Sequence, residues 1–173
     1  CCAAARSTCS LDFRAASPWR RWRGDRVERM RILTPWALVL AAGAMAQPFP
    51  VKIENGVRAT MRDGVALVAD VYRPAVDGKF PVLLQRTPYN RAGGAGGHAE
   101  TAANGYVVIV QDTRGRFDSQ GEFYPFKYES QDGYDTVEWC AAQSWSDGNV
   151  GMYGASYVGA TQWLAAIAQP PQL

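Results

Sequence analysis

Gly154-Ala155-Ser156-Tyr157-Val158-Gly159 is the stretch on which the fold turns. It follows an apolar run, Val150-Gly151-Met152-Tyr153, and opens onto a helical one, Ala160 to Ala168. A serine at a sharp turn between strand and helix is the setting of a nucleophile elbow, where a strained backbone lifts the serine oxygen above the sheet. Small residues are needed where strand and helix backbones nearly touch, a place that Gly154 and Gly159 suit. The general pattern puts its second glycine two residues after the serine; here Val158 holds that place and Gly159 follows. The same position also suits a serine that N-caps the helix. The two roles are compatible, because an elbow serine lies at a helix start.

Upstream of the elbow, Tyr106-Val107-Val108-Ile109-Val110 and Pro81-Val82-Leu83-Leu84-Gln85 are runs of consecutive apolar residues. Consecutive rather than alternating apolarity marks strands covered on both faces, as in a parallel sheet. Between the strands of 106–110 and 150–153, Tyr134, Val137 and Ala141 recur at helical spacing, which predicts an amphipathic helix over 131–144 with Ser130 as its N-cap. His98 to Asn104 predicts a short helix stopped by Gly105, and Gly93-Gly94-Ala95-Gly96-Gly97 before it reads as a flexible loop. That loop fits neither phosphate-binding nor dinucleotide-binding glycine spacing. The beginning differs. Val51 to Glu54 and Val57 to Met61 are strand-like with a hairpin signal at Asn55-Gly56, and Val65 to Tyr72 is a second strand. An antiparallel start feeding alternating buried strands and helices predicts an α/β fold of the α/β-hydrolase type, mostly parallel.

The net charge of +2 conceals an uneven distribution. Residues 1–46 carry +5, all of their cations being arginines, whereas residues 47–173 carry −3. A mildly acidic body argues against a nucleic-acid partner. Three of the four cysteines lie in the first nine residues, so Cys140 has no partner in the body and reads as a buried, inert thiol. With one histidine, His98, the ligand count argues against a metal site. Residues 1–29 read as a basic leader foreign to the native protein. Met30-Arg31, the apolar run Ile32 to Ala46 and the ending Ala44-Met45-Ala46 describe a secretory signal peptide over 30–46. At fifteen residues the run is short for a membrane span of roughly twenty; an uncleaved anchor is the alternative. Cleavage after Ala46 predicts a mature chain from Gln47, secreted or periplasmic, without stable membrane insertion.

Several ordered stretches then agree with one family. They are Met61-Arg62-Asp63-Gly64-Val65, Asp70-Val71-Tyr72-Arg73-Pro74, Pro81-Val82-Leu83-Leu84 with Arg86-Thr87-Pro88-Tyr89, and Gln111-Asp112-Thr113-Arg114-Gly115. Ser119-Gln120-Gly121-Glu122-Phe123, Asp135-Thr136, Trp145, Asp147-Gly148-Asn149-Val150-Gly151-Met152 and the elbow complete them. The chain resembles the X-Pro dipeptidyl-peptidase and cocaine-esterase (CocE/NonD-type) family of α/β-hydrolases over about residues 51–173. In that family the elbow has the form G-x-S-Y-x-G, so the displaced glycine is a family feature. The resemblance implies a serine hydrolase cleaving ester or amide bonds of a small molecule or peptide through an acyl-enzyme, without a cofactor. It gives Ser156 the role of nucleophile. It makes the backbone N–H of Tyr157 one oxyanion donor and the hydroxyl of Tyr89 the other. Asp112 and Asp147 precede the serine, whereas this fold runs serine, acid, histidine, so they read as structural.

That order also places His98 on the wrong side of Ser156, and no Asp, Glu or His occurs among residues 157–173. The expectation is an N-terminal part of the catalytic domain, truncated after the nucleophile helix and without its triad acid and base. Loss of the base costs on the order of 10⁶ in turnover, so the stretch alone is expected to be inactive. The alternative is a non-catalytic α/β-hydrolase-like binding module. Trp145 and the aromatic stretch Phe117 to Tyr128 are candidates to line a pocket, with Trp163 assigned to core packing. Which bond is cleaved is left open among X-Pro peptides, small aromatic esters and amino-acid esters.

Overall fold

The computed structural model describes residues 48–173; the leader and signal-peptide readings at 1–29 and 30–46 lie outside the described residues. Five strands form one mixed sheet: β1 (Val51–Thr60), β2 (Ala66–Pro74), β3 (Phe80–Thr87), β4 (Val107–Asp112) and β5 (Ser146–Met152). Three helices join them: α1 (Ala95–Ala103), α2 (Glu129–Ala141) and α3 (Tyr157–Ile167). The spatial order is β1-β2-β4-β3-β5. β1 with β2 and β2 with β4 are antiparallel, whereas β3 pairs in parallel with both β4 and β5. The antiparallel start and parallel continuation therefore hold.

The apolar runs are consecutive because the sheet is covered on both faces. Along β4, Val107 and Ile109 join a core with Val82, Leu84, Val137, Cys140 and Val150 beneath α2. Val108 and Val110 join Tyr72 and Ala102 beneath α1 on the other face. Side chains alternate between faces along a strand, so one unbroken run supplies both cores. Cys140 is fully buried and unpaired, and burial pushes its thiol well above the ordinary range.

Four local expectations are corrected. Asn55-Gly56 does not turn the chain: β1 runs through it with a bulge between Glu54 and Val57. Gly56 takes φ 69° there and its N–H donates to the Asp70 carboxylate on β2 at 2.9 Å, so the extra residue is satisfied inside the ladder. The glycine-rich stretch is not all loop. Gly94, at φ 77°, precedes α1, which already contains Gly96 and Gly97. Each glycine costs about 1 kcal/mol in a helix, a cost met by docking of the whole helix on the sheet, with Ala102 buried and Ala99 packed against the same core. Ser130 does not cap α2; Tyr128 occupies the cap position and the helix starts at Glu129. Trp163 is 76% exposed, because α3 buries Val158, Thr161 and Ala165 and the tryptophan stands on another side.

α2 and α3 approach closely at Gly133, where a built Cβ would lie 2.7 Å from the Ala165 Cβ. Helix propensity alone favours alanine there by about 1 kcal/mol. Overpacking of this kind costs about 1–3 kcal/mol, and the near neighbours are backbone-anchored atoms that cannot swing away. Gly133→Ala is therefore expected to lower stability by up to about 2 kcal/mol, read as a lower urea midpoint. A raised midpoint would show that the helices can separate freely.

Candidate active site

β5 ends at Met152, and the Tyr153 N–H still reaches the Leu84 carbonyl of β3 at 3.3 Å. The chain then reverses over Gly154, at φ 127°, and Ser156, at φ 59° and ψ −129°. A non-glycine residue in such a region costs on the order of 1–3 kcal/mol and persists only where its surroundings enforce it. Ser156 is exposed and sits at the cap position of α3, yet its hydroxyl makes no capping hydrogen bond. Its place is that of a cap residue, but the hydroxyl is left free. Gly154 has no alternative here, since a Cβ would meet Val158 Cγ1 at 2.3 Å. At Gly159 the nearest atom to a built Cβ is 3.6 Å away, an ordinary contact, so the close-approach argument applies to the first glycine and not the second.

Tyr157 is the first residue of α3, and its N–H belongs to the first turn, whose donors have no partner within the helix. Because β3, β4 and β5 run parallel, the loops that follow all three leave the sheet at one edge. Tyr89 reaches that edge from the loop after β3. Its ring is 64% exposed and meets the Tyr157 ring edge to face, with centroids 6.4 Å apart. The structure thus brings Ser156, Tyr157 and Tyr89 to one edge.

Beneath them lies a polar layer that the sequence reading did not assign. The Tyr157 hydroxyl donates to Glu129 Oε1 at 3.0 Å and accepts the Phe126 N–H at 3.2 Å. The ring stacks on Phe126 at 4.5 Å. Glu129 lies 2.7 Å from the guanidinium of Arg86, which is fully buried. Arg86 also donates to Gln111 Oε1 on β4 at 2.9 Å and to the Glu129 carbonyl at 3.2 Å. A charge at the end of a strand buried on both faces must meet a carboxylate; that rule flags Arg86 as needing an acid, and the fold supplies Glu129 at the start of α2.

The acids before the serine have structural partners. Asp112 is fully buried, and Arg91 donates to it through its backbone N–H at 2.8 Å and its side chain at 2.6 Å. Arg114 makes a two-pronged pair with Asp132 and a further bond to Asp63. Asp147 accepts the Asn149 N–H within its own turn at 2.9 Å. His98 has both ring nitrogens engaged, one 3.1 Å from the Gly93 carbonyl and the other 3.2 Å from the Tyr153 hydroxyl. Trp145 packs partly buried against the α2-side core. Exposed Trp163 lines a shallow hollow with Met152, Gln162, Ala166 and Leu173.

A family model described as X-Pro dipeptidyl-peptidase (S15 family) matches residues 63–173. The chain belongs to that family. Among curated proteins, it is 46% identical over 122 residues to the cocaine esterase of Rhodococcus sp. (strain MB1 Bresler), covering 67% of this chain and 21% of that protein. Among solved structures it resembles a CocE/NonD family hydrolase from Staphylococcus aureus, at 34% identity and a TM-score of 0.65, over 70% of this chain and 26% of that one. An α-amino acid ester hydrolase matches at 27% identity and a TM-score of 0.64, over 78% and 27% of the two chains. The fold is that of the α/β-hydrolases, and the chain spans about a fifth to a quarter of the length of these relatives.

Burial pushes the Tyr157 phenol from 10.0 up to about 12, with Glu129 adding to the shift and the Phe126 N–H opposing it. The folded chain keeps this proton between pH 10 and 12 while the unfolded chain releases it. The stability it contributes is full below pH 10 and is lost as pH rises through 12. Urea unfolding should therefore show the gap between the native chain and Tyr157→Phe narrowing across that window. A gap that stays constant would mean the phenol is not held in its neutral form.

Proposed function

We propose that this chain carries the nucleophile and oxyanion site of a serine hydrolase that cleaves esters or amides through an acyl-enzyme. The observation that carries the reading is Ser156 itself: exposed, held at φ 59° between strand and helix, with its hydroxyl uncapped. Its Oγ attacks the carbonyl carbon and loses its proton to a base. The carbonyl oxygen becomes an oxyanion, which the Tyr157 N–H and the Tyr89 hydroxyl stabilise. The tetrahedral intermediate collapses by expelling the alcohol or amine, and water then releases the acyl group. Family membership and the similarity to an esterase and an ester hydrolase support this chemistry. The family's description supports an X-Pro dipeptidyl-peptidase-like substrate as one member of the class.

Neither base nor acid is assigned among the described residues, since His98 is clipped between Gly93 and Tyr153 and the carboxylates near the edge are committed to arginines. In this fold both follow the nucleophile in the chain. The stretch Met30 to Ala46 supports export, as a secreted or periplasmic enzyme.

The test is made on the whole reading frame that contains this sequence. A fluorophosphonate should label the native protein and not Ser156→Ala. Tyr89→Phe should lower kcat on a p-nitrophenyl ester by about 10²–10³, the usual cost of one oxyanion donor, with little change in KM. A well-folded protein that takes no label would instead be a binding module.

A further inference from the structure

Tyr89 presents a puzzle of support. Its side chain is largely exposed, so few contacts hold the hydroxyl in place. An oxyanion donor must nevertheless be fixed before the charge develops. The support has to come through the backbone, and the structure shows where. The Pro88–Tyr89 peptide is gripped at both polar ends. Its N–H donates to Thr87 Oγ1 at 3.0 Å. Its carbonyl accepts from Arg116 Nε at 3.0 Å.

Arg116 is built for that grip. Its backbone is closed into turns on both sides, with Arg116 N–H to the Thr113 carbonyl and Ser119 N–H to the Arg116 carbonyl, each 3.0 Å. Its guanidinium lies over the Phe123 ring at 5.0 Å and the Phe117 ring at 5.3 Å. Phe123 is anchored in turn, because Gly115 passes so near its backbone that a Cβ would lie 2.2 Å from the Phe123 nitrogen. The arginines around it serve carboxylates: Arg91 holds Asp70, Asp112 and Asp118, and Arg114 holds Asp63 and Asp132. Among the described residues Arg116 makes no such pair. Its one hydrogen bond from the side chain goes to the peptide that carries Tyr89.

We infer that Arg116, with Thr87, is a positioning residue for the Tyr89 arm of the oxyanion site, acting by fixing the Pro88–Tyr89 peptide from the loop after β4. The inference rests on the serine-hydrolase reading and adds a dependence that reading does not require. A residue that merely stabilised the fold would affect the enzyme whether or not Tyr89 had a hydroxyl. A residue that acts through that hydroxyl would matter only when it is present.

A double-mutant cycle on the whole reading frame separates the two, with a p-nitrophenyl ester as substrate. Arg116→Met keeps a stem to lie on the rings and removes the donor. It should lower kcat by about tenfold or more, up to the roughly 10²-fold that a 1 Å misplacement can cost, with KM within about twofold. In a Tyr89→Phe background the same substitution should change kcat by less than about twofold. Thr87→Val removes the other grip with little change in shape and should show the same dependence on Tyr89, which guards against a folding defect in the arginine variant. Equal losses with and without the Tyr89 hydroxyl, or no loss in either single variant, would overturn the inference. If Tyr89→Phe itself leaves kcat unchanged while Ser156→Ala abolishes it, the Tyr89 assignment fails and this inference falls with it, whereas the nucleophile assignment stands.

Discussion

A guanidinium with no access to solvent organises this molecule. Arg86 stands at the end of β3, in the middle of the parallel part of the sheet, and is fully buried. An isolated buried charge is prohibitively costly, so the fold must bring partners to it. It does so from two other elements: Gln111 from β4, and Glu129 with its carbonyl from the first turn of α2. Asp132, one turn on, lies between Arg86 and Arg114 and links the buried pair to the loop after β4. Removing one partner of such a pair typically costs 3–5 kcal/mol, because the other charge stays buried alone. The starting point of α2 follows from this requirement rather than from a cap.

The same layer reaches the surface through Glu129. Its second oxygen takes the Tyr157 hydroxyl, so the residue after the elbow serine is tied to the buried charge beneath it. Phe126 closes on the other side of that ring. The strained Ser156 is consequently bracketed, with Gly154 packed against Val158 before it and Tyr157 anchored after it. Strain survives where neighbours over-determine it, and these are the neighbours. Parallel pairing of β3 with β4 and β5 then sets the Tyr89 loop, the Arg116 loop and the elbow side by side.

Much of this was legible in the sequence, for physical reasons. The buried strands were readable because both faces are covered, leaving consecutive apolar residues. The elbow was readable because close approach at Gly154 restricts that position to glycine. Other features were not. Asn55-Gly56 carries a hairpin signature, but local preference cannot distinguish a turn from a bulge whose N–H is satisfied by Asp70, fourteen residues away. Gly96 and Gly97 oppose a helix locally, and only docking of α1 on the sheet reverses that. Trp163 is a core residue by composition and an exposed one by its place on α3. The layer of Arg86, Glu129 and Phe126 depends on contacts between distant segments, which spacing along the chain does not encode.

In the proposed arrangement Ser156 Oγ meets a carbonyl carbon while the Tyr157 N–H and the Tyr89 hydroxyl converge on its oxygen. A crystal structure of the complete gene product with a phenylboronic acid tests it most directly, because boron adds a serine oxygen to form a tetrahedral mimic of the intermediate. The account predicts a covalent bond from boron to Ser156 Oγ, with one boronate oxygen within about 3 Å of both the Tyr157 nitrogen and the Tyr89 hydroxyl. Boron bound elsewhere, or an adduct at Ser156 whose oxygens turn away from both donors, would contradict it.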